Sequence, residues 1–106
     1  MVEILVIGRH PDILATVLKS INKHPNWHSH GAIKDVDALA LAQKHTFDLV
    51  LLGGGILDEE ELKLKKDLLT IQPNLTIIQH FGGGSGLLFN EIQMALDSKA
   101  NNTQKK

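Results

Sequence analysis

Four short apolar runs, separated by stretches with helical spacing, constrain the fold of this chain more than any other feature. Residues 2–7 (VEILVI) and 47–52 (FDLVLL) are nearly continuous in apolar residues, and each run ends at a glycine. Such runs are typical of strands buried on both faces of a parallel sheet. Residues 27–34 (WHSHGAIK) predict a weaker, more polar edge strand, and a fourth strand is predicted to begin at Leu75 and end at Phe81.

Between these runs, apolar residues recur with the three- and four-residue spacing of amphipathic helices. A first helix is predicted to begin near Pro11 and to end before Pro25. Proline is favourable at a helix start, because the N–H that it lacks would have no partner in the first turn. A second helix begins at Asp35, a third begins with the acidic first turn at residues 58–61, and the last covers residues 87–96. The β-α-β-α-β-α-β-α alternation predicts a parallel sheet with helices on both faces and right-handed crossovers.

The length of 106 residues is that of one domain. We expect an α/β domain over residues 1–97 and a polar, disordered tail over residues 98–106. A hydrophobic fraction of 42% is enough for an ordinary core, which needs no disulfide or metal.

Charge and hydropathy exclude several classes of partner. Eleven basic against twelve acidic residues give a net charge of −1, which argues against a nucleic-acid partner. No apolar run approaches the roughly 20 residues of a membrane span, and the first is too short for a signal peptide, so no membrane partner is expected. The chain contains no cysteine, which leaves the cytoplasm as the default location.

Over residues 2–81 the sequence resembles the receiver domains of two-component response regulators, above all those fused to helix-turn-helix output domains. In that family the first strand ends in two acidic residues followed by His-Pro and a helix, and residues 8–11 here are GRHP. An Ala-Leu pair in the second helix corresponds to residues 38–39, and the Asp-Leu-Val-Leu-Leu of the third strand to residues 48–52. The family's fourth strand follows a turn like that at residues 73–74 (PN). The resemblance implies a three-layer α/β sandwich of the flavodoxin-like or receiver type, with four parallel strands in the order 2-1-3-4.

The departures from the family concern its chemistry. Receivers hold Mg²⁺ with the two acids after strand one and accept phosphate on an aspartate after strand three, and those positions here are Gly8, Arg9 and Gly53. The hydroxyl-bearing residue after strand four aligns with Phe81, and strand five with its lysine has no counterpart. The resemblance therefore implies a degenerate, non-phosphorylatable module. We predict that it has no enzymatic activity and no cofactor, and that it acts through protein–protein interaction in bacterial signal transduction.

Glycines mark one edge of the predicted sheet, since eight of the nine follow the first, third and fourth strands. The carboxyl ends of parallel strands meet at the edge where ligands bind, and glycine lets backbone N–H groups approach an anion. An alternative function is therefore a small anion or nucleotide site, with Arg9 on the anion. Neither a Walker A motif nor a G-x-G-x-x-G motif is present. The alternative is that the glycines only form tight turns between strands and helices and bind no ligand. The candidate residues at this edge are Gly8, Arg9, His10, Gly53, Gly54, Gly55, His80, Gly82, Gly83 and Gly84.

Two histidines form a second candidate. His28 and His30 are two apart, so on a strand they share a face, a geometry that can bind a transition metal. A third ligand would come from His10, His24 or an acid, none of which has a predictable position. We therefore interpret the pair as exposed edge-strand residues and predict no metal.

The third candidate is an unpaired sheet edge. Without a fifth strand, the strand from Leu75 to Phe81 presents free backbone groups, and such edges are usually paired or covered. A homodimer through this edge or through the last helix would cover it. The alternative is that the last helix folds back and covers it alone.

Overall fold

The computed structural model describes the backbone of residues 1–79 and 85–104, and the side chains of residues 1–79 and 88–98. Four strands and four helices alternate along this part of the chain. The strands are β1 (Val2–Ile7), β2 (Trp27–Ala32), β3 (Leu49–Leu52) and β4 (Thr76–Gln79). The helices are α1 (Pro11–Asn22), α2 (Asp35–Lys44), α3 (Asp58–Ile71) and α4 (Ser85–Gln104).

All neighbouring strands are parallel, in the order β2-β1-β3-β4. The predicted order is therefore confirmed, with β2 at one edge and β4 at the other. The last four residues of β1 and all of β3 are buried, as their continuous apolar runs predict. Because a strand alternates between two faces, β1 and β3 supply apolar side chains to both sides of the sheet.

Two hydrophobic cores result, one on each face. Helices α2 and α3 cover the first core, to which they contribute Ala38, Ala42, Leu64 and Leu68. Helices α1 and α4 cover the second, to which they contribute Leu14, Ile21, Leu88 and Ile92. The molecule is thus the three-layer sandwich that the alternation of elements predicts.

Helix α4 packs beside α1 and over β3 and β4, with Leu88 and Ile92 buried. The last helix therefore folds back on a face of the sheet, as one of the two alternatives requires. It runs to Gln104, well beyond the predicted 87–96, because residues 98–104 contain neither glycine nor proline to end it. The division into a domain and a tail at residue 97 stays a prediction.

The third strand begins at Leu49 and is shorter than predicted, because no strand pairing includes Phe47. Its backbone N–H donates to Gln72 Oε1 at 3.0 Å, so it is bonded to a side chain and not to a neighbouring strand. The ring is still buried in the first core. Strand β2 also ends two residues earlier than predicted, at Ala32. Strand β4 begins one residue later than predicted, at Thr76, and the last two residues of its predicted range, His80 and Phe81, lie outside the described residues.

Within the described ranges, no helix combines the length and the apolar character needed to cross a bilayer. The cytoplasmic location stays a prediction.

Candidate functional site

The carboxyl ends of β1 and β3 lie side by side and bring Gly8 and Gly53 together. The Gly53 N–H donates to the Ile7 carbonyl at 2.7 Å, and the Arg9 N–H donates to the Gly54 carbonyl at 3.4 Å. A Cβ added at Gly53 would lie 3.6 Å from Gly8 Cα. Two of the three positions that carry acids in the resembling family are thus adjacent here and have no side chain.

The third of these positions, Arg9, directs its side chain toward the starts of α2 and α3. One guanidinium nitrogen lies 2.7 Å from Asp35 Oδ1 and 3.4 Å from Glu60 Oε1, and the other donates to the Ile33 carbonyl. Partial burial acts to lower the pKa of Arg9, but the bonds and charges of Asp35 and Glu60 outweigh it and raise that pKa above its ordinary value. Arg9 therefore ties both helices to the end of β1.

This arrangement does not fit the magnesium ion that the resembling family holds. Mg²⁺ requires carboxylate oxygens, and positions 8, 9 and 53 offer none.

A cavity of about 740 Å³ opens at the same edge, between α1 and the start of α3. It brings together five of the predicted residues, which are Gly8, His10, Gly53, Gly54 and Gly55, whereas Arg9 is not among its lining residues. His80, Gly82, Gly83 and Gly84 lie outside the described residues.

The charged groups in the described lining are mainly acidic. Asp12, Asp58 and Glu61 face the cavity together with His10. Carboxylates repel an anion, and the two ion pairs of Arg9 occupy the cation that the anion hypothesis relies on. The anion or nucleotide site therefore stays a prediction without a supporting contact.

Gly55 is the position where the turn after β3 requires glycine. Its φ is +86°, a conformation that residues with a Cβ rarely adopt. A Cβ there would lie 2.9 Å from Arg9 Cβ and 3.2 Å from His10 Nε2. The glycine thus allows the turn after β3 to pack directly on the turn after β1.

At the opposite end of the sheet, the structure brings His28 and His30 together with Glu3. Glu3 Oε1 accepts hydrogen bonds from His28 Nδ1 at 3.0 Å and from His30 Nε2 at 2.9 Å. These bonds, first that of His30 and then that of His28, lower the pKa of Glu3 below its ordinary value. The shared face of the two histidines, predicted from their spacing, is therefore observed.

The sequence leaves the third group of this cluster open among His10, His24 and an acid. The acid is Glu3, which pairs with His28 across the β1–β2 register. It is the only charged residue in the run at 2–7, a signal that marks it but does not locate its partner.

Among the comparisons with known proteins, the one with solved structures identifies the fold. No protein-family model matches the sequence, and no curated protein matches it either. Among solved structures, the chain is similar to the signal receiver domain of an HD domain-containing protein from Pseudomonas fluorescens Pf-5, with a TM-score of 0.80 and 17% identity over 99% of this chain and 93% of that one. It is also similar to a CheY-like response regulator receiver domain from Methanospirillum hungatei JF-1, with a TM-score of 0.79 and 14% identity over 96% of this chain and 98% of that one.

A LuxR family DNA-binding response regulator from Silicibacter pomeroyi has a TM-score of 0.73 and 19% identity, over 92% of each chain. The chain therefore has the fold of response regulator receiver domains, as its sequence motifs predict. Since these identities are all below 20%, the similarity establishes the fold and not the function.

Proposed function

We propose that this chain is a receiver-like module that accepts no phosphoryl group, carries out no catalysis and acts by contact with a protein partner in bacterial signal transduction. The observation that carries the proposal is the pair of adjacent positions without side chains, Gly8 and Gly53, at the carboxyl ends of β1 and β3. A phosphoryl group needs a nucleophilic side chain at this place, and glycine has none. The signalling role is inferred by analogy with the receiver domains of similar fold.

Phosphorylation provides the direct test. With Mg²⁺ and a small phosphodonor such as acetyl phosphate, we expect the intact mass of the protein to stay unchanged, because position 53 has no carboxylate. A receiver domain with acids at all three equivalent positions, treated in parallel, should gain the mass of one phosphoryl group. A stable gain of that mass by this chain would contradict the proposal.

The outer edge of β4 supports a contact with a second copy of the chain. In the described part of the sheet no strand pairs with this edge, and all four β4 residues are only half-buried. Helix α4 packs over β3 and β4, and among the described residues the outer edge of β4 offers backbone groups that another strand can bond. In this proposal two chains pair their β4 strands across a two-fold axis.

Thr76→Lys tests this dimer, because a lysine on an edge strand disfavours pairing with another strand. Light scattering after size exclusion should give a dimer mass for the wild type and a monomer mass for Thr76→Lys. Thr70→Lys, the same substitution on the exposed surface of α3, should leave the dimer intact. A wild-type monomer mass at every concentration would exclude self-association.

A further inference from the structure

We propose that Glu3, His28 and His30 form a binding site for one divalent transition-metal ion such as Zn²⁺. The site lies on the α2–α3 face of the sheet, near the amino ends of β1 and β2, and is separate from the carboxyl edge. It is therefore independent of whether the chain accepts a phosphoryl group.

The distances among the three donor groups suit a small metal ion. One carboxylate oxygen of Glu3 and one nitrogen of each imidazole all lie within 4.8 Å of one another. Glu3 Oε1 is 3.0 Å from His28 Nδ1 and 2.9 Å from His30 Nε2. Zn²⁺ binds nitrogen and oxygen at about 2.0–2.1 Å, which in a tetrahedral site places neighbouring ligands roughly 3.3–3.4 Å apart. For both distances from Glu3, an outward shift of a few tenths of an ångström reaches this spacing.

The backbone holds the three ligands in this arrangement. Glu3 and His28 are partners in the β1–β2 register, and His30 follows on the same face two residues later. The Glu3 N–H donates to Asp48 Oδ2 at 2.8 Å, and the Asp48 N–H donates to the Glu3 carbonyl at 2.8 Å. Glu3 is thus anchored on both sides, by β2 and by the residue that precedes β3.

Neighbouring rings orient the His30 imidazole. It stacks on His45 at a centroid distance of 5.1 Å and meets Phe47 edge-on at 5.3 Å. These contacts restrict the rotation of the ring. Because Phe47 is buried and anchored through its backbone to Gln72, the position of the His30 ring is tied to the core.

The donor set selects the class of ion. Two imidazoles and one carboxylate suit Zn²⁺, Cu²⁺ or Ni²⁺, whereas Mg²⁺ and Ca²⁺ prefer oxygen ligands alone. The His28 side chain is 50% exposed, so an ion can reach the site from solvent. Three protein ligands leave at least one coordination position for water or another group. The bound ion would join the edge strand β2 to β1 through side chains.

The test is a calorimetric titration of the full chain, without a histidine tag, with Zn²⁺ alone. We expect one ion per chain, at least about tenfold weaker binding for His28→Ala, His30→Ala and Glu3→Gln, and no binding of Mg²⁺ at this site. His10→Ala removes an exposed histidine at the opposite edge and should leave the affinity unchanged. Glu3→Gln preserves the size of the side chain, so the test holds even where an alanine variant unfolds.

Two further measurements decide the nature of the site. Co²⁺ should give visible absorption bands typical of nitrogen and oxygen ligands in the wild type, and these should be lost in His30→Ala. Saturating Zn²⁺ should raise the melting temperature of the wild type by several degrees but not that of Glu3→Gln. The proposal would be overturned if His10→Ala weakened Zn²⁺ binding as much as the cluster variants do, or if all three cluster variants kept the wild-type affinity. Either result would indicate that Zn²⁺ binds dispersed surface histidines. One ion per two chains, with a doubled mass, would also overturn it.

Discussion

Replacement of Leu51 by alanine should lower the free energy of unfolding by about 2–5 kcal/mol. Leu51 lies at the centre of the sheet, paired with Val6 on one side and Ile78 on the other, and is fully buried. The truncated side chain leaves a cavity beneath α1 and α4, because the two flanking strands prevent the backbone from collapsing into it. Urea denaturation measures the effect as a lower transition midpoint at an unchanged slope.

Leu62→Ala is the matched control for this experiment. Leu62 is on α3 and is 70% exposed, so the same truncation removes little buried surface. We expect a change within about 0.5 kcal/mol. Similar losses for both variants would contradict the position of Leu51 in the core.

Gly55→Ala should destabilise the protein by about 1–3 kcal/mol, since a Cβ at positive φ is strained and here also meets Arg9. Its Cβ would lie 2.9 Å from Arg9 Cβ, an atom that cannot move without the backbone of the turn after β1. We expect the strain to displace Arg9 from Asp35 and Glu60 as well. Thermal and urea unfolding measure the loss.

The neighbouring residue supplies the control for Gly55. A Cβ at Gly54 meets nothing within 4 Å, and the φ of Gly54 is not positive. Gly54→Ala should therefore be neutral, or stabilise by up to about 1 kcal/mol through the unfolded state. If both alanine variants lose the same stability, the glycines act only through chain flexibility and the close approach to Arg9 is unimportant.

At the carboxyl edge of the sheet, close packing of the turns stands where the resembling family carries acidic groups. Carboxylates placed together repel one another and need a cation between them. Gly8 and Gly53 remove that need, and Arg9 at the remaining position binds two carboxylates from α2 and α3. At this edge an ion-pair cluster within the chain therefore links β1 to the starts of α2 and α3, as expected of the proposed module without a phosphorylation step.

The two edges of the sheet also differ in what they offer a partner. Both outer strands present backbone groups at an edge of the described sheet, but only β2 carries the histidine pair, on side chains that point to the α2–α3 face. A dimer through β4 leaves the cluster of Glu3, His28 and His30 accessible. Metal binding and self-association can therefore be measured separately.

Much of the fold could be predicted from local pattern. The apolar runs of β1 and β3 require burial on both faces, and the spacing of helical residues requires a layer on each side. The missing carboxylate at Gly53 is likewise visible in the sequence, because an absent side chain is absent in any fold. The sequence predicts a shorter α4 than the structure contains, since the polar second half of this helix has no apolar periodicity to mark it.

What the tertiary structure decided is which distant residues meet. The sequence places Arg9 at the carboxyl edge, but only the packing of α2 and α3 turns its guanidinium to Asp35 and Glu60. Likewise the spacing of His28 and His30 predicts a common face, while the β1–β2 register is what adds Glu3. Periodicity reports the face of a single element, and contacts between elements depend on register and helix packing, which no local pattern contains.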